Sequence, residues 1–549
     1  MTFKRGYLRI IFYALLIMLM SLVVGCTSEQ TSKQNLDEDQ TSDVINDDGS
    51  PKEGGAITVA LVSEPDTLDA HKFSNGRACQ VLELLGGGLF TFDPETEEYL
   101  PYLAEDYTIS DDGKTWTFKL RTGINFHDGT PLTADVYKQT FERILNPETQ
   151  STLALVGLPP LESVSAPDDE TLVLETTEPT ASLITALTGC FYQPLSMEAV
   201  NKYGNDYGRN PVGIGPWVFQ DWETGQSITL VRNEEFQWPA PWSENDGPSY
   251  PEKLTFRFIE NSQTMLAALD SGSIDIAHDV PALDVEQKYR NNPDFEVLEQ
   301  PIAGLGLAIW MNMKNEVFQD IEVRQALNMA IHKEAMIQAV FQGAAEIAYG
   351  PMSQSVLGYD KAVEEYGYKY SVEEAKQLLD SAGWKENQNG IRERNGEKLS
   401  LNLVTRQSYD RQSQLIQEML SEIGIEVTIQ NLEPTAHITA AVAGEYDITL
   451  LGYRGADPNS LYGFFHTGEA FNLPKLSDES LDSLLEKGAE TIDLEQRNQI
   501  YAEIQKHIVE NAYMVPLYTE SNFTVINNRV HGVIKYQGEW LRFYDAWIE

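Results

Sequence analysis

Three textures of polar and apolar residues divide the chain. Ile10 to Val24 form a nearly uncharged apolar run behind a basic head of Lys4, Arg5 and Arg9. Residues 27–54 are Ser, Thr, Gln, Asn and acidic side chains, with only Leu36, Val44 and Ile45 as bulky apolar residues. Such a stretch buries too little apolar surface to offset its ordering entropy, which predicts a disordered spacer. Beyond it, apolar positions recur with the periods of strands and helices. Ile57, Val59 and Leu61 alternate as in a half-buried strand that Pro65 and Asp66 stop. Val81, Leu82, Leu84 and Leu85 give a helix one broad apolar face, and Gly86, Gly87 and Gly88 end it. No Lys-Ser/Thr pair follows those glycines, so they read as a helix stop and not as a phosphate loop. DYTIS and TWTFKL form a hairpin through the turn Asp111, Asp112, Gly113, Lys114. After a second turn at His127, Asp128 and Gly129, Thr133 or Asp135 caps a helix that carries Val136, Phe141 and Ile144. Further on, SVEEAKQLLDSAGW reads as helix, LSLNLVT as strand, RQSQLIQEMLSEIG as helix and IEVTIQNL as strand. This is the alternation expected of an α/β sheet.

Composition narrows the classes. With 549 residues and 42% hydrophobic content, the chain has material for two or three cores. A net charge of −45 excludes nucleic acid as a partner, since a polyanion is repelled, and implies a solvated acidic surface. The apolar run fits an export signal or a membrane anchor, and its length alone does not choose between them. Val23-Val24-Gly25-Cys26 resembles the lipobox of bacterial lipoproteins. That resemblance implies a signal peptide over residues 1–25, removed before Cys26, and a lipidated Cys26 that tethers the chain to the outer face of the cell membrane, more in the manner of a Gram-positive host. More than one acyl chain is needed for stable anchoring. Cys79 and Cys190 remain, and their spacing leaves open whether they pair. No HExxH, GxSxG or Walker motif occurs, the eight histidines are scattered without metal-ligand spacing, and no cofactor motif is present.

Several ordered motifs carry a wider resemblance. Residues 100–145 contain Leu-Ala-Glu, a strand, Asp-Asp-Gly-Lys, Trp-Thr-Phe-Lys-Leu-Arg and Phe-His-Asp-Gly-Thr-Pro before a helix. Asn210 to Trp217 read NPVGIGPW, with Ile214 where threonine is usual, and SITLVRNEEF follows at 227–236. LTFRFIENSQTMLAALDSGSIDIA (254–277), DIEVRQALNMAIHKEAMI (320–337) and RNQIYAEIQKHIVENAYMVPLY (497–518) complete the series. In this order they resemble the family 5 extracellular solute-binding proteins, the peptide and nickel receptors of bacterial ABC importers, over about residues 55–549.

The resemblance implies an α/β, two-lobed periplasmic-binding-protein-like fold (type II, cluster C) with an additional domain inserted in lobe I. Lobe I would comprise residues 55–80, 200–305 and 520–549, the insert 81–199, and lobe II 306–519, behind a lipidated, disordered linker at 26–54. It implies a monomeric, non-enzymatic receptor that closes on a small peptide or similar polar solute and delivers it to a permease with separate ATPase subunits. A nickel chelate is the alternative ligand, and a secreted hydrolase the alternative class. Ligands of such folds lie in the interlobe cleft. The loop after the strand ITLL is the leading candidate: Asp457-Pro458 matches the family's acidic-Pro pair, while Arg454 stands near the place of its ammonium-binding aspartate. Arg454 either holds a carboxylate or makes a salt bridge within the loop. Tyr453, Tyr462 and Phe464 either line the cleft or pack. Trp310 and Asn312, near the crossing into lobe II, and Arg406 and Tyr409, after LNLVT, are further candidates. His466 is the single candidate metal-facing histidine, against a capping or packing role.

Overall fold

The computed structural model describes residues 50–549 except Asn75, Glu97 and 536–539. The apolar run, Cys26 and the spacer up to residue 49 lie outside the described residues. Residues 51–549 are organised around two mixed sheets joined by one long strand.

The first-lobe sheet runs, in spatial order, Trp217–Glu223, Ser227–Arg232, Lys253–Phe258, Ala56–Leu61, Ile276–His278 and the second half of Met514–Asn527, which also pairs with Phe295–Pro301. Ala56–Leu61 is parallel to both its neighbours, and the remaining pairs are antiparallel. The alternation read from the sequence is real, since Ile57, Val59 and Leu61 all point into one core with Leu254 and Phe256. The second-lobe sheet runs Glu426–Leu432, Ser400–Arg406, Ile448–Arg454, Gly304–Met311 and the first half of Met514–Asn527, which also pairs with Ala345–Ile347. Ser400–Arg406, the helix Asp410–Glu422 and the parallel strand Glu426–Leu432 form the expected βαβ unit. Gly304–Met311 is apolar throughout, as suits a strand covered on both faces.

Two segments cross between the sheets: Met514–Asn527 itself and the short link from Pro301 to Gly304. They run side by side, with the Ile302 amide donating to the Glu520 carbonyl at 2.8 Å. At Gly304 the backbone turns with φ +139°, and a Cβ there would lie 2.0 Å from the Tyr453 carbonyl oxygen, so only glycine fits. The close approach puts the end of Ile448–Arg454 directly against the crossing.

A third core surrounds an antiparallel sheet ordered Ala104–Ile109, Thr115–Leu120, Thr171–Thr176, Leu161–Ser165. The helix Ala134–Leu145 closes it with Tyr137, Phe141 and Ile144, and the Thr133 hydroxyl caps the helix by accepting from the Val136 amide at 3.3 Å. The helix Arg77–Leu85 packs instead in the first-lobe core with Ile57 and Val59. A disulfide joins Cys79 on that helix to Cys190, closing the alternatives the sequence left open.

Candidate ligand cleft

Where the two crossings meet, the structure opens two adjoining cavities of about 680 Å³ and about 440 Å³. Both are bordered by Ile302, Val340, Phe341, Arg454 and Glu520. The larger extends over the second lobe to Arg406, Tyr409, Arg411 and Tyr453. The smaller reaches the first lobe at Asp279, Val280, Ser521 and Asn522. Together they form a cleft between the lobes, with apolar side chains such as Ile302, Val340 and Phe341 beside charged groups, of the size that small organic ligands need.

Local structure explains why these side chains meet. Tyr453 and Arg454 are not in a loop, as the sequence suggested. Their strand continues through Arg454 because it pairs with Leu305 and Gly304 of the crossing. Arg406 ends the neighbouring strand, and Tyr409 follows one 3₁₀ turn later, so both come to the same edge. The Arg406 guanidinium lies 4.6 Å from the Tyr409 ring and donates to its hydroxyl at 2.6 Å. Its Nε is buried without a hydrogen-bond acceptor among the described residues. Gln412 donates to the Tyr518 hydroxyl at 2.8 Å on the adjoining wall. Glu520 lies on the crossing strand itself; withdrawal from bulk water pushes its carboxyl up, and the charge of Arg454 opposes the shift.

Thus Tyr453, Arg454, Arg406 and Tyr409 come together in the cleft, and three other expected site residues do not. Trp310 is fully buried, donates from Nε1 to the Leu451 carbonyl at 2.8 Å and stacks on Phe464, so it belongs to the second-lobe core. Asn312 spends its amide on the Gly444 and Tyr446 carbonyls, each at 3.0 Å, tying the end of its strand to a turn. Asp457 is held by Arg497 at 2.7 Å and by the Thr185 hydroxyl at 2.9 Å. Burial pushes its carboxyl up, but the Arg497 charge, the Arg497 hydrogen bonds, the Asn459 amide and Thr185 outweigh this and hold it below the usual range. His466 faces Glu486 at 3.2 Å and stacks on Tyr462 at 4.2 Å, outside both cavities. Phe464 packs between Trp310 and Tyr453. Among the described residues no cluster of three or more His, Cys, Asp or Glu side chains is placed to hold a metal ion.

Sequence reasoning missed Arg411, Gln412 and Glu520. Arg411 follows Arg406 by five residues and was absorbed into the helix that starts beside it, while nothing local marks Glu520 as cleft-facing.

The model of the bacterial extracellular solute-binding proteins, family 5 (Middle), matches residues 98–472, more than half of the chain. The chain belongs to this family. Among curated relatives it is 27% identical to the oligopeptide-binding protein AppA of Bacillus subtilis, over 96% of each chain. It is 28% identical to heme-binding protein A of Haemophilus influenzae, over 84% of this chain and 86% of that one. Among solved structures, HbpA2 from Haemophilus parasuis superposes with a TM-score of 0.80 at 23% identity, over 90% of this chain and all of that one, a likeness of fold. The two-lobed α/β architecture with its cleft is therefore that of a solute-binding protein.

Proposed function

We propose that the protein is a non-enzymatic receptor that captures a small peptide or related polar solute between its lobes and delivers it to an ABC importer, a permease with separate ATPase subunits. The observation that carries this reading is the cleft at the chain crossings, with Arg406, Tyr409, Tyr453 and Arg454 gathered on one wall. A ligand that touches both lobes only when they approach favours the closed population, which is how capture becomes a signal to the importer. The resemblance to an oligopeptide-binding relative supports a peptide, and the cleft offers its carboxylate guanidinium partners.

The same proposal places the protein outside the cytoplasm as a monomer, tethered through lipid on Cys26 to a Gram-positive cell membrane, with residues 26–54 as the linker to the lobes. No helix among the described residues is long and apolar enough to cross a membrane, and a lipid tether requires none. It also keeps the division into lobe I, insert and lobe II, with the helix Arg77–Leu85 assigned to lobe I on account of its packing. Metabolic labelling with palmitate tests the anchor: incorporation that Cys26→Ser abolishes is expected, and labelling that survives the substitution contradicts it.

Native mass spectrometry of protein purified without denaturation tests the receptor. One organic solute per chain is expected. Turnover of a peptide library by the pure protein would overturn the proposal, as would a preparation that neither retains nor takes up any organic solute.

A further inference from the structure

The larger cavity reverses the charge balance of the chain that builds it. The sequence holds 84 acidic and 39 basic side chains, yet the cavity lining has three guanidinium groups, Arg406, Arg411 and Arg454, against the single carboxylate of Glu520. In so acidic a protein, guanidinium groups are readily neutralised by neighbours, as Arg143, Arg392 and Arg497 are by Asp69, Asp380 and Asp457. Two on the cleft wall are not. Among the described residues Arg406 has one hydrogen-bond acceptor, the Tyr409 hydroxyl, and leaves a buried Nε without one. Arg411 has no hydrogen-bond or ion-pair partner among the described residues. Asp410, between them in sequence, is not part of the cavity lining.

Arg411 is exposed to water, and its rigid fork of donors, like that of Arg406, is matched by carboxylate oxygens and loses little entropy in binding them. Two such forks five residues apart, one ending a strand and the other in the first turn of the following helix, face the same space. The helix Asp410–Glu422 has no side-chain cap at its N-terminus, and Asp410 in its first turn offsets the dipole there, so the positive potential of the wall comes from the guanidinium groups themselves. The C-terminal carboxylate of a neutral peptide has two oxygens to share between these forks, whereas a second carboxylate gives Arg406 and Arg411 an acceptor pair each.

We infer that the natural ligand carries at least two carboxylates, placed for Arg406 and Arg411, and is an acidic peptide, not a neutral or basic one. This rests on the receptor reading above and narrows it. A solute of net negative charge is attracted into the cleft and away from the acidic remainder of the surface. It also relieves the positive wall, which a lysine-rich peptide cannot do.

Isothermal titration with triglutamate, trialanine and trilysine separates the possibilities. Triglutamate should bind at least about tenfold more tightly than trialanine, the gain of one charged hydrogen-bonded pair, and the advantage should shrink at high salt. Trilysine should bind weakest. R411Q, at an exposed position, should cut the triglutamate advantage severalfold, and R406Q should do the same. Equal binding of the three peptides, or an advantage that R411Q leaves intact, overturns the inference while the receptor reading stands. Binding of citrate with no peptide bound removes the peptide part and upholds the two-carboxylate part. Failure of every peptide and of citrate removes both.

Discussion

Replacing Asp457 by Ala separates a structural role from a binding role. The Arg497 side chain is 2% exposed and that of Asp457 18% exposed, and two guanidinium nitrogens reach the carboxylate at 2.7 Å and 3.3 Å. Breaking a buried pair from one side costs about 3–5 kcal/mol, because the partner charge stays behind in a poor solvent. Arg497 keeps a bond from Nε to the Gly488 carbonyl at 3.2 Å, and water reaches the gap through the exposed edge of Asp457. Both effects move the expected loss to the lower end, about 3 kcal/mol. The substitution also removes the acceptor of the Thr185 hydroxyl, a contact between positions 272 residues apart in the chain. Urea denaturation followed by tryptophan fluorescence reads the loss, and Asp457→Leu with Arg497→Met should recover most of it. Because the folded carboxyl lies below its ordinary value, the pair's contribution is present above the unfolded carboxylate pKa and disappears only as pH falls through the folded value. A loss under about 1 kcal/mol would refute the reasoning, as would retained stability with abolished ligand binding, which would return Asp457 to the site.

Arg454→Ala should weaken an anionic ligand by about 1 to 3 kcal/mol, the range of a charged hydrogen bond in a water-poor cleft, and calorimetry showing unchanged affinity would remove Arg454 from the site. Removing the disulfide with Cys79→Ser and Cys190→Ser should cost about 2–5 kcal/mol, since it closes a chain separation of 111 residues; an unchanged urea midpoint contradicts this. Two buried imidazoles should make the protein acid-sensitive. Burial and the neighbouring Arg143 hold His71 down to about 3, and burial holds His278 down to about 4, from an ordinary 6.5. Their folded values are lowered, so the unfolded chain binds more protons below pH 6.5. Stability should then fall on acidification by about 1.4 kcal/mol per pH unit for each histidine. Denaturation at neutral and mildly acidic pH measures the slope; His278→Gln should remove its share, and a slope that ignores the substitution counts against it.

What the sequence revealed was local or periodic. The cap at Thr133, the hairpin between Ala104–Ile109 and Thr115–Leu120, and the βαβ unit around Asp410–Glu422 each follow from a few adjacent residues, and the structure reproduces them. The site was half legible. Arg406, Tyr453 and Arg454 lie at the ends of neighbouring strands and Tyr409 one 3₁₀ turn beyond, and strand ends are the positions where α/β sheets place ligands. Trp310 misled because its strand is buried on both faces, so alternation does not tell a cleft-facing side from a core-facing one. Asp457 misled because its partners stand at 185 and 497, and no local pattern shows that a carboxylate is already claimed. The pairing of Cys79 with Cys190 and the cleft position of Glu520 are likewise products of long-range packing.

A solute held at the crossings should draw the two lobes together about the links at 301–304 and 520–521. Small-angle X-ray scattering during titration with the bound solute tests it directly. The radius of gyration should fall and saturate at one solute per chain. A bound solute, confirmed by calorimetry in the same sample, that leaves the radius of gyration unchanged would contradict it.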